Sequence, residues 1–132
     1  MREIEFRGKG QDGKWHYGNL ITVVYRGGWA RGIQYGSGIE DDISLYTEHI
    51  SNYETIGQYT GFYDKNSEKV YEDDYMRDPQ GNLFKVVYAP DLGCWLGDYG
   101  RSDFEFDIHN AKKCVKVGNF HDDKELNLIE NA

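Results

Sequence analysis

The sequence has only two prolines and few alanines, and hardly any of its segments repeat apolar residues at the spacing of a helix. This shortage argues against a helical bundle. Sixteen glycines and eleven tyrosines are instead typical of short strands joined by glycine turns. We therefore predict an all-β fold.

Long apolar runs are also missing. The chain begins MREIEFRGK, without the apolar segment of a secretion signal, and no later stretch is apolar enough over the length that spans a bilayer. We expect a cytoplasmic protein that has no membrane partner.

Cysteine and histidine are sparse and scattered. Cys94 and Cys114 are isolated and lack a CxxC pattern, so we predict that both are reduced. The four histidines include no pair at a metal-ligand spacing such as HxxxH. A zinc site would require these scattered residues to be brought together by the fold, and no motif in the sequence indicates this. We expect no cofactor.

Turn signals organise the first lobe, residues 1–58. Strand-like segments separated by the turns QDGK and GG predict a β-meander. Its first strand, EIEFR (3–7), alternates charged and apolar residues, which predicts that Ile4 and Phe6 point inward.

The second lobe, residues 59–121, holds five short strands separated by turns such as DPQGN and DLG. This pattern suits a small, strongly bent SH3-like barrel. The tail, residues 122–132, is predicted to form one or two helical turns with Asp122 or Asp123 as the N-cap.

Charge is unevenly distributed. The net charge of −8 argues against bulk attraction to a phosphate backbone. Residues 1–38, however, hold six basic and three acidic residues, a net charge of +3, which leaves −11 for the rest. Two interpretations stay open: the basic segment is a partner surface, or the two halves attract each other.

Signatures of catalysis are missing too. There is no GxSxG motif, and neither cysteine has a local nucleophile signature. The glycines of FRGKG and YGSG lack both the P-loop lysine spacing and a following helix. We expect no enzymatic activity.

The acidic run Glu72, Asp73 and Asp74 is the candidate metal site. Paired carboxylates can bind a divalent cation or share acid and base roles. Alternation along a strand would place only Glu72 and Asp74 on one side. The alternative is that these acids accept backbone N–H bonds at the solvated end of a hairpin. We favour the hairpin end and keep Glu72 and Asp74 as the metal-ligand candidates.

The stretch YRGGWARG (25–32) interleaves arginine, glycine and an aromatic residue. Such sequences can stack on and neutralise single-stranded nucleic acid, and the binding candidates are then Arg26, Trp29 and Arg31. Arg7 and Lys9 would join them if the strands pair. The alternative is that these residues only form a tight hairpin, with Gly27 and Gly28 at the turn between two strands.

The other aromatic residues present a similar choice. Most lie on alternating segments and are predicted to be core residues or cross-strand pairs, and any exposed remainder could form a partner-binding surface. These residues are Trp15, Tyr17, Tyr59, Tyr71, Tyr88 and Trp95.

Three separated stretches together resemble the YopX family of small bacterial and prophage-encoded proteins. They are REIEFRGK with GKWHYGNL, then ETIGQYTGFYDKNSEKVYEDD, and finally VKVGNFHDDKELNLIE. The chain departs from the family pattern at Asn66-Ser67, where Asn-Gly is usual, and at Asp73, which replaces a glycine. The resemblance implies a mostly β fold with an SH3-like barrel in the second half and a phage or mobile-element origin. It supplies no activity and no catalytic residues.

Together these observations predict a bacterial, prophage-type accessory protein that works by binding a host or phage protein. One alternative is a nucleic-acid-binding protein that uses the basic N-terminal lobe, and another is a metal-dependent enzyme. Exposed strand edges and many tyrosines also make a homo-oligomer plausible.

Overall fold

The computed structural model describes residues 3–34 and 47–126. Contacts divide the chain into an N-terminal unit, Met1–Gln58, and a C-terminal unit, Tyr59–Ala132. The described residues are mostly strand and confirm the all-β prediction.

Ten strands and one short helix make up the described part of the chain. In chain order they are β1 (Phe6–Gly10), β2 (Trp15–Tyr25), β3 (Gly28–Gln34), β4 (Thr47–Tyr63), β5 (Lys69–Tyr71), β6 (Asp74–Arg77), β7 (Leu83–Ala89), β8 (Cys94–Asp98), β9 (Asp103–Glu105), α1 (Ile108–Ala111) and β10 (Val115–Asn119).

In the N-terminal unit, the antiparallel pairings of β1 to β4 close into a ring. β1 pairs with both β2 and β4, and β3 also pairs with both β2 and β4. The predicted meander is therefore present as β1–β2–β3, and β4 connects its two ends. Ile33 and Ile50 are fully buried in this unit.

The first strand lies further along the chain than the sequence predicts. β1 begins at Phe6, and Ile4 is 55% exposed, so the inward orientation expected for Ile4 is wrong. The ladder instead uses the glycine-rich stretch FRGKG, in which Gly8 leaves room for the side chain of Ile50 on β4. A Cβ atom at Gly8 would lie 3.1 Å from Ile50 Cδ1.

In the C-terminal unit, five strands form an antiparallel sheet in the order β10–β6–β7–β8–β9. The core packs beneath it and consists of Val70, Met76, Phe84, Val86, Phe106, Ala111 and Cys114. β5 pairs separately with the end of β4 through Tyr59 and Tyr71. The five strands are the number that the barrel prediction requires, and the SH3-like barrel itself stays a prediction.

Helix α1 lies between β9 and β10 and was not predicted from the sequence. The Asp107 side chain accepts a hydrogen bond from the N–H of Asn110 at 2.8 Å, which is an N-cap. The predicted helical tail is not seen in its described part, where residues 122–126 form turns. Asp123 accepts a hydrogen bond from Asn119 instead of capping a helix. Residues 127–132 lie outside the described part.

Within residues 3–34 and 47–126, no helix combines the length and apolar character needed to cross a bilayer.

Candidate functional site

The β2–β3 hairpin presents an exposed tryptophan. The two strands pair up to Tyr25 and Gly28, so Arg26 and Gly27 form the two-residue turn. Trp29 lies directly opposite Val24. Trp29 is 53% exposed and Val24 is 80% exposed, so this end of the hairpin offers apolar surface to solvent.

Tyr53 and Arg31 complete this surface. The Tyr53 ring on β4 stacks on the Trp29 ring, with centroids 5.9 Å apart and an interplanar angle of 17°. The Arg31 guanidinium carbon lies 5.6 Å from the Trp29 ring centroid, within range of a cation–π interaction. We call Val24, Trp29, Arg31 and Tyr53 the Trp29 surface.

The structure separates the cations that the sequence suggested as a group. Arg31 lies at Trp29, and the exposed Arg26 occupies the adjacent turn. Arg7 is instead buried, with its guanidinium 4.5 Å from the Trp15 ring, and Lys9 also lies over Trp15. Arg7 and Lys9 therefore belong to a different place in the unit.

The acidic run lies at a turn between two strands, as the favoured hairpin-end interpretation has it. Glu72 and Asp73 form the turn between β5 and β6, and Asp73 has a left-handed backbone with φ of 70°. The strand alternation that the metal-site alternative assumed for Glu72 and Asp74 is therefore absent. A glycine at position 73, as in the family pattern, would adopt this conformation without strain.

Asp74 is fully buried, so it does not lie at a solvated hairpin end. Its carboxylate accepts a hydrogen bond from the N–H of Tyr71 at 2.7 Å. It also lies 3.2 Å from Nζ of Lys116, which comes from β10. Lys116 Nζ donates in addition to the carbonyl of Lys69 at 3.1 Å. The carboxylate is thus part of a buried polar network that joins β5, β6 and β10.

Asp73 makes a second link at the same corner. Its carboxylate lies 3.0 Å from Nε2 of His121. Its backbone N–H donates to Val86, and its carbonyl accepts from the N–H of Phe120. The turn is therefore held by backbone and side-chain bonds together, which gives Asp73 and Asp74 a structural role.

The metal hypothesis for Glu72 and Asp74 leads to a simple expectation. Among the described residues, no three His, Cys, Asp or Glu side chains converge in a way that could hold a cation. The Lys116 ammonium also lies next to Asp74, where it would repel a cation. We expect Mg²⁺, Mn²⁺ and Ca²⁺ to leave the melting temperature unchanged. A rise in the wild type that vanishes in the Glu72→Gln, Asp74→Asn double variant would instead establish a metal site.

The remaining aromatic residues divide between core and surface. Tyr59 and Tyr71 are buried opposite each other, with ring centroids 5.6 Å apart. Tyr88 and Trp95 are also a cross-strand pair, at 5.1 Å, but Tyr88 is 45% exposed. Tyr17 is likewise exposed.

Tyr99 is a candidate functional residue that the sequence did not indicate. Its hydroxyl donates to Asp78 Oδ2 at 2.7 Å. Burial and then this hydrogen bond raise the pKa of Tyr99 far above its ordinary value. Burial alone would raise the pKa of Asp78, but hydrogen bonds from Tyr99, Asn82 and Gln80 outweigh it and lower that pKa. At neutral pH the pair is therefore a phenol bound to a carboxylate.

Cys114 lies nearby and is also buried. Burial, with a smaller contribution from the charge of Asp78, raises the pKa of its thiol to about 11. The thiol is therefore protonated at neutral pH, and a protonated thiol is a poor nucleophile.

Fold and site together define the class: a small all-β protein of two units, with an exposed aromatic–arginine surface on the first. A family model described as "YopX protein" matches residues 5–127. The chain belongs to the YopX family, as the sequence predicted.

The chain is also similar to a solved structure, the crystal structure of protein EF1440 from Enterococcus faecalis. The TM-score is 0.54 at 16% identity, and the match covers 95% of this chain and 98% of that chain. At this identity the likeness is one of fold. No curated protein matches the chain.

Proposed function

We propose that the chain is a non-enzymatic binding protein whose Trp29 surface docks a host or phage protein. The observation that carries this proposal is the exposed stack of Trp29 and Tyr53 with Arg31 beside it. Tryptophan, tyrosine and arginine are the residues that contribute most to binding energy at protein interfaces. Val24 adds an exposed apolar contact directly opposite Trp29.

Charge supports a protein partner over nucleic acid. The N-terminal unit, residues 1–58, contains six basic and eight acidic residues, a net charge of −2. The positive charge of residues 1–38 is therefore offset by the acids that follow it in the same unit. Arg7 is also buried, which removes one cation from any phosphate contact. Affinity for nucleic acid depends mainly on clustered cations that neutralise phosphates.

The protonation states in the C-terminal unit support a non-enzymatic role. Tyr99 and Cys114 are both neutral near pH 7, and burial raises the pKa of each further above that range. Asp78 is ionised and bound to Tyr99, Asn82 and Gln80, so it is poorly placed to act as a general base. The proposal places the protein in the bacterial cytoplasm, where its two free cysteines would stay reduced.

The test is an affinity capture from bacterial lysate with the full-length wild type, Trp29→Ala and Tyr88→Ala, each with and without nuclease. Tyr88 is the matched control, because it is also an exposed aromatic residue but lies in the other unit. We expect a nuclease-resistant partner that Trp29→Ala loses and Tyr88→Ala retains. On the purified partner, the dissociation constant should rise about 30-fold or more, as for truncation of a tryptophan hot spot.

Three outcomes would contradict this proposal. Capture that disappears with nuclease, falls steeply with salt and is lost in Arg26→Ala, Arg31→Ala would identify a nucleic-acid-binding protein. Capture that is equal for wild type and Trp29→Ala would place the interface elsewhere. Capture of the chain itself, with a dimer in sedimentation that depends on Trp29, would make this surface a homo-oligomer contact.

A further inference from the structure

Two clefts in the C-terminal unit share Tyr99 as a lining residue. The first has a volume of about 260 Å³ and is lined by Asn82, Tyr99, Arg101 and Ser102. The second has a volume of about 200 Å³, and its lining includes the Asp78 carboxylate, Pro79, Phe104, Asn110 and Lys113. Both lie away from the acidic turn between β5 and β6 that the sequence singled out.

The shared wall of the clefts is rigid. The Tyr99 hydroxyl is held by Asp78, whose other oxygen accepts the N–H groups of Gln80 and Asn82 at 2.9 Å each. The Tyr99 ring also packs against Phe104, with centroids 5.3 Å apart. A wall that is fixed before binding costs little ordering entropy when a ligand arrives, which favours specific recognition.

Each cleft contains a cation. Arg101 lies in the first and Lys113 in the second, and both are exposed. Among residues 3–34 and 47–126, neither the Arg101 guanidinium nor the Lys113 ammonium makes an ion pair or a hydrogen bond. The C-terminal unit has nine basic and fifteen acidic residues, so acidic partners are abundant in its sequence. The Asp78 carboxylate also lines the second cleft, but its oxygens already accept hydrogen bonds from Tyr99, Gln80 and Asn82. Arg101 and Lys113 are therefore the charged groups that remain for a ligand, and they favour one with negative charge.

The rest of the lining selects the kind of anion. Asn82, Ser102 and Asn110 offer neutral hydrogen-bonding groups at the clefts, while Pro79 and Phe104 offer apolar surface in the second. A small anion held in the first cleft would contact neither Lys113 nor the apolar surface, because both line the second cleft. A peptide that carries carboxylates on either side of an apolar residue would use all three features.

We propose that the two clefts around Tyr99 bind an acidic peptide segment of a partner protein. Its carboxylates pair with Arg101 and Lys113, and an apolar side chain between them packs on Pro79 and Phe104. This site lies in the C-terminal unit and does not depend on the Trp29 surface for its ligand.

The test uses the ¹⁵N-labelled full-length protein and two short blocked peptides. One has glutamates around a central leucine, and the other has glutamine in place of each glutamate. We expect the glutamate peptide to shift the backbone amide resonances of Tyr99, Arg101, Ser102 and Lys113, and the glutamine peptide to have little effect. In Arg101→Gln, Lys113→Gln the affinity for the glutamate peptide should fall about tenfold.

A matched control removes the same charge elsewhere. Lys112 and Lys124 are exposed and line neither cleft, so Lys112→Gln, Lys124→Gln should bind the glutamate peptide as the wild type does. Trp29→Ala should also leave this response unchanged, which separates the site from the proposed docking surface in the N-terminal unit.

Several results would overturn the proposal. These are no localised shifts with the glutamate peptide, equal shifts with the glutamine peptide, or equal affinity in the Arg101→Gln, Lys113→Gln variant. Equal or tighter binding of inorganic phosphate or adenosine monophosphate at the same amides would also overturn it, because the site would then be one for small anions or nucleotides.

Discussion

Replacing Asp74 with alanine is expected to lower the free energy of unfolding by roughly 3–5 kcal/mol, the cost of leaving one member of a buried ion pair without its partner. The carboxylate is fully buried and accepts the Tyr71 N–H at 2.7 Å. The Lys116 ammonium 3.2 Å away would lose its counter-charge while its side chain is only 22% exposed. Urea unfolding followed by circular dichroism measures the loss.

Asp74→Asn is the informative control for this prediction. Asparagine keeps an oxygen that can accept the Tyr71 N–H but removes the charge opposite Lys116, so we expect a smaller loss of about 1–2 kcal/mol. Hydrogen exchange should locate the weakening in β6 and β10, the strands that carry the pair. An alanine variant within about 0.5 kcal/mol of the wild type would show that the network contributes little to stability.

The sequence predicted well the features that depend on neighbouring residues. The turn DPQGN is one example: Asp78 accepts the N–H groups of Gln80 and Asn82, and Gly81 has a φ of 87°. Asn66-Ser67 is a counter-example: the missing glycine suggested that a left-handed turn residue is lost, but Ser67 adopts that conformation, with a φ of 63°.

Features that join distant segments were not predictable. Asp74 was expected at a solvated turn, because nothing near it in the sequence indicates that Lys116 of β10 reaches it. Trp29 and Arg31 were identified as binding candidates, but Tyr53 was not, since its place beside Trp29 follows from the pairing of β3 with β4. The Tyr99 clefts were missed for the same reason: Asp78, Tyr99 and Lys113 come from three separate connections, which follow β6, β8 and α1.

The closed ring of the N-terminal unit depends on one glycine. β2 pairs with β1 as far as Gly18 and with β3 from Asn19 onward, so the strand changes partner at this position. Gly18 has a φ of 157°, and a Cβ atom placed there would lie 2.1 Å from the carbonyl oxygen of Gln34. That oxygen belongs to the backbone of β3, so it cannot move aside as a side-chain end could. The glycine therefore allows the two backbones to approach where the strand bends.

Gly18→Ala is expected to lower the free energy of unfolding by about 3 kcal/mol or more, because backbone strain adds to the clash with Gln34. Gly28→Ala is the matched control: its φ is 150°, but no atom lies within 4 Å of the added Cβ. Gly28→Ala therefore tests the backbone strain without a clash, and it should lower the free energy of unfolding by about 1 kcal/mol. Urea unfolding of the two variants, with hydrogen exchange across β2 and β3, measures the difference. An equal loss of unfolding free energy in the two variants would mean that β3 moves to accommodate the added methyl group. The close approach at Gly18 would then not be required for the closed ring.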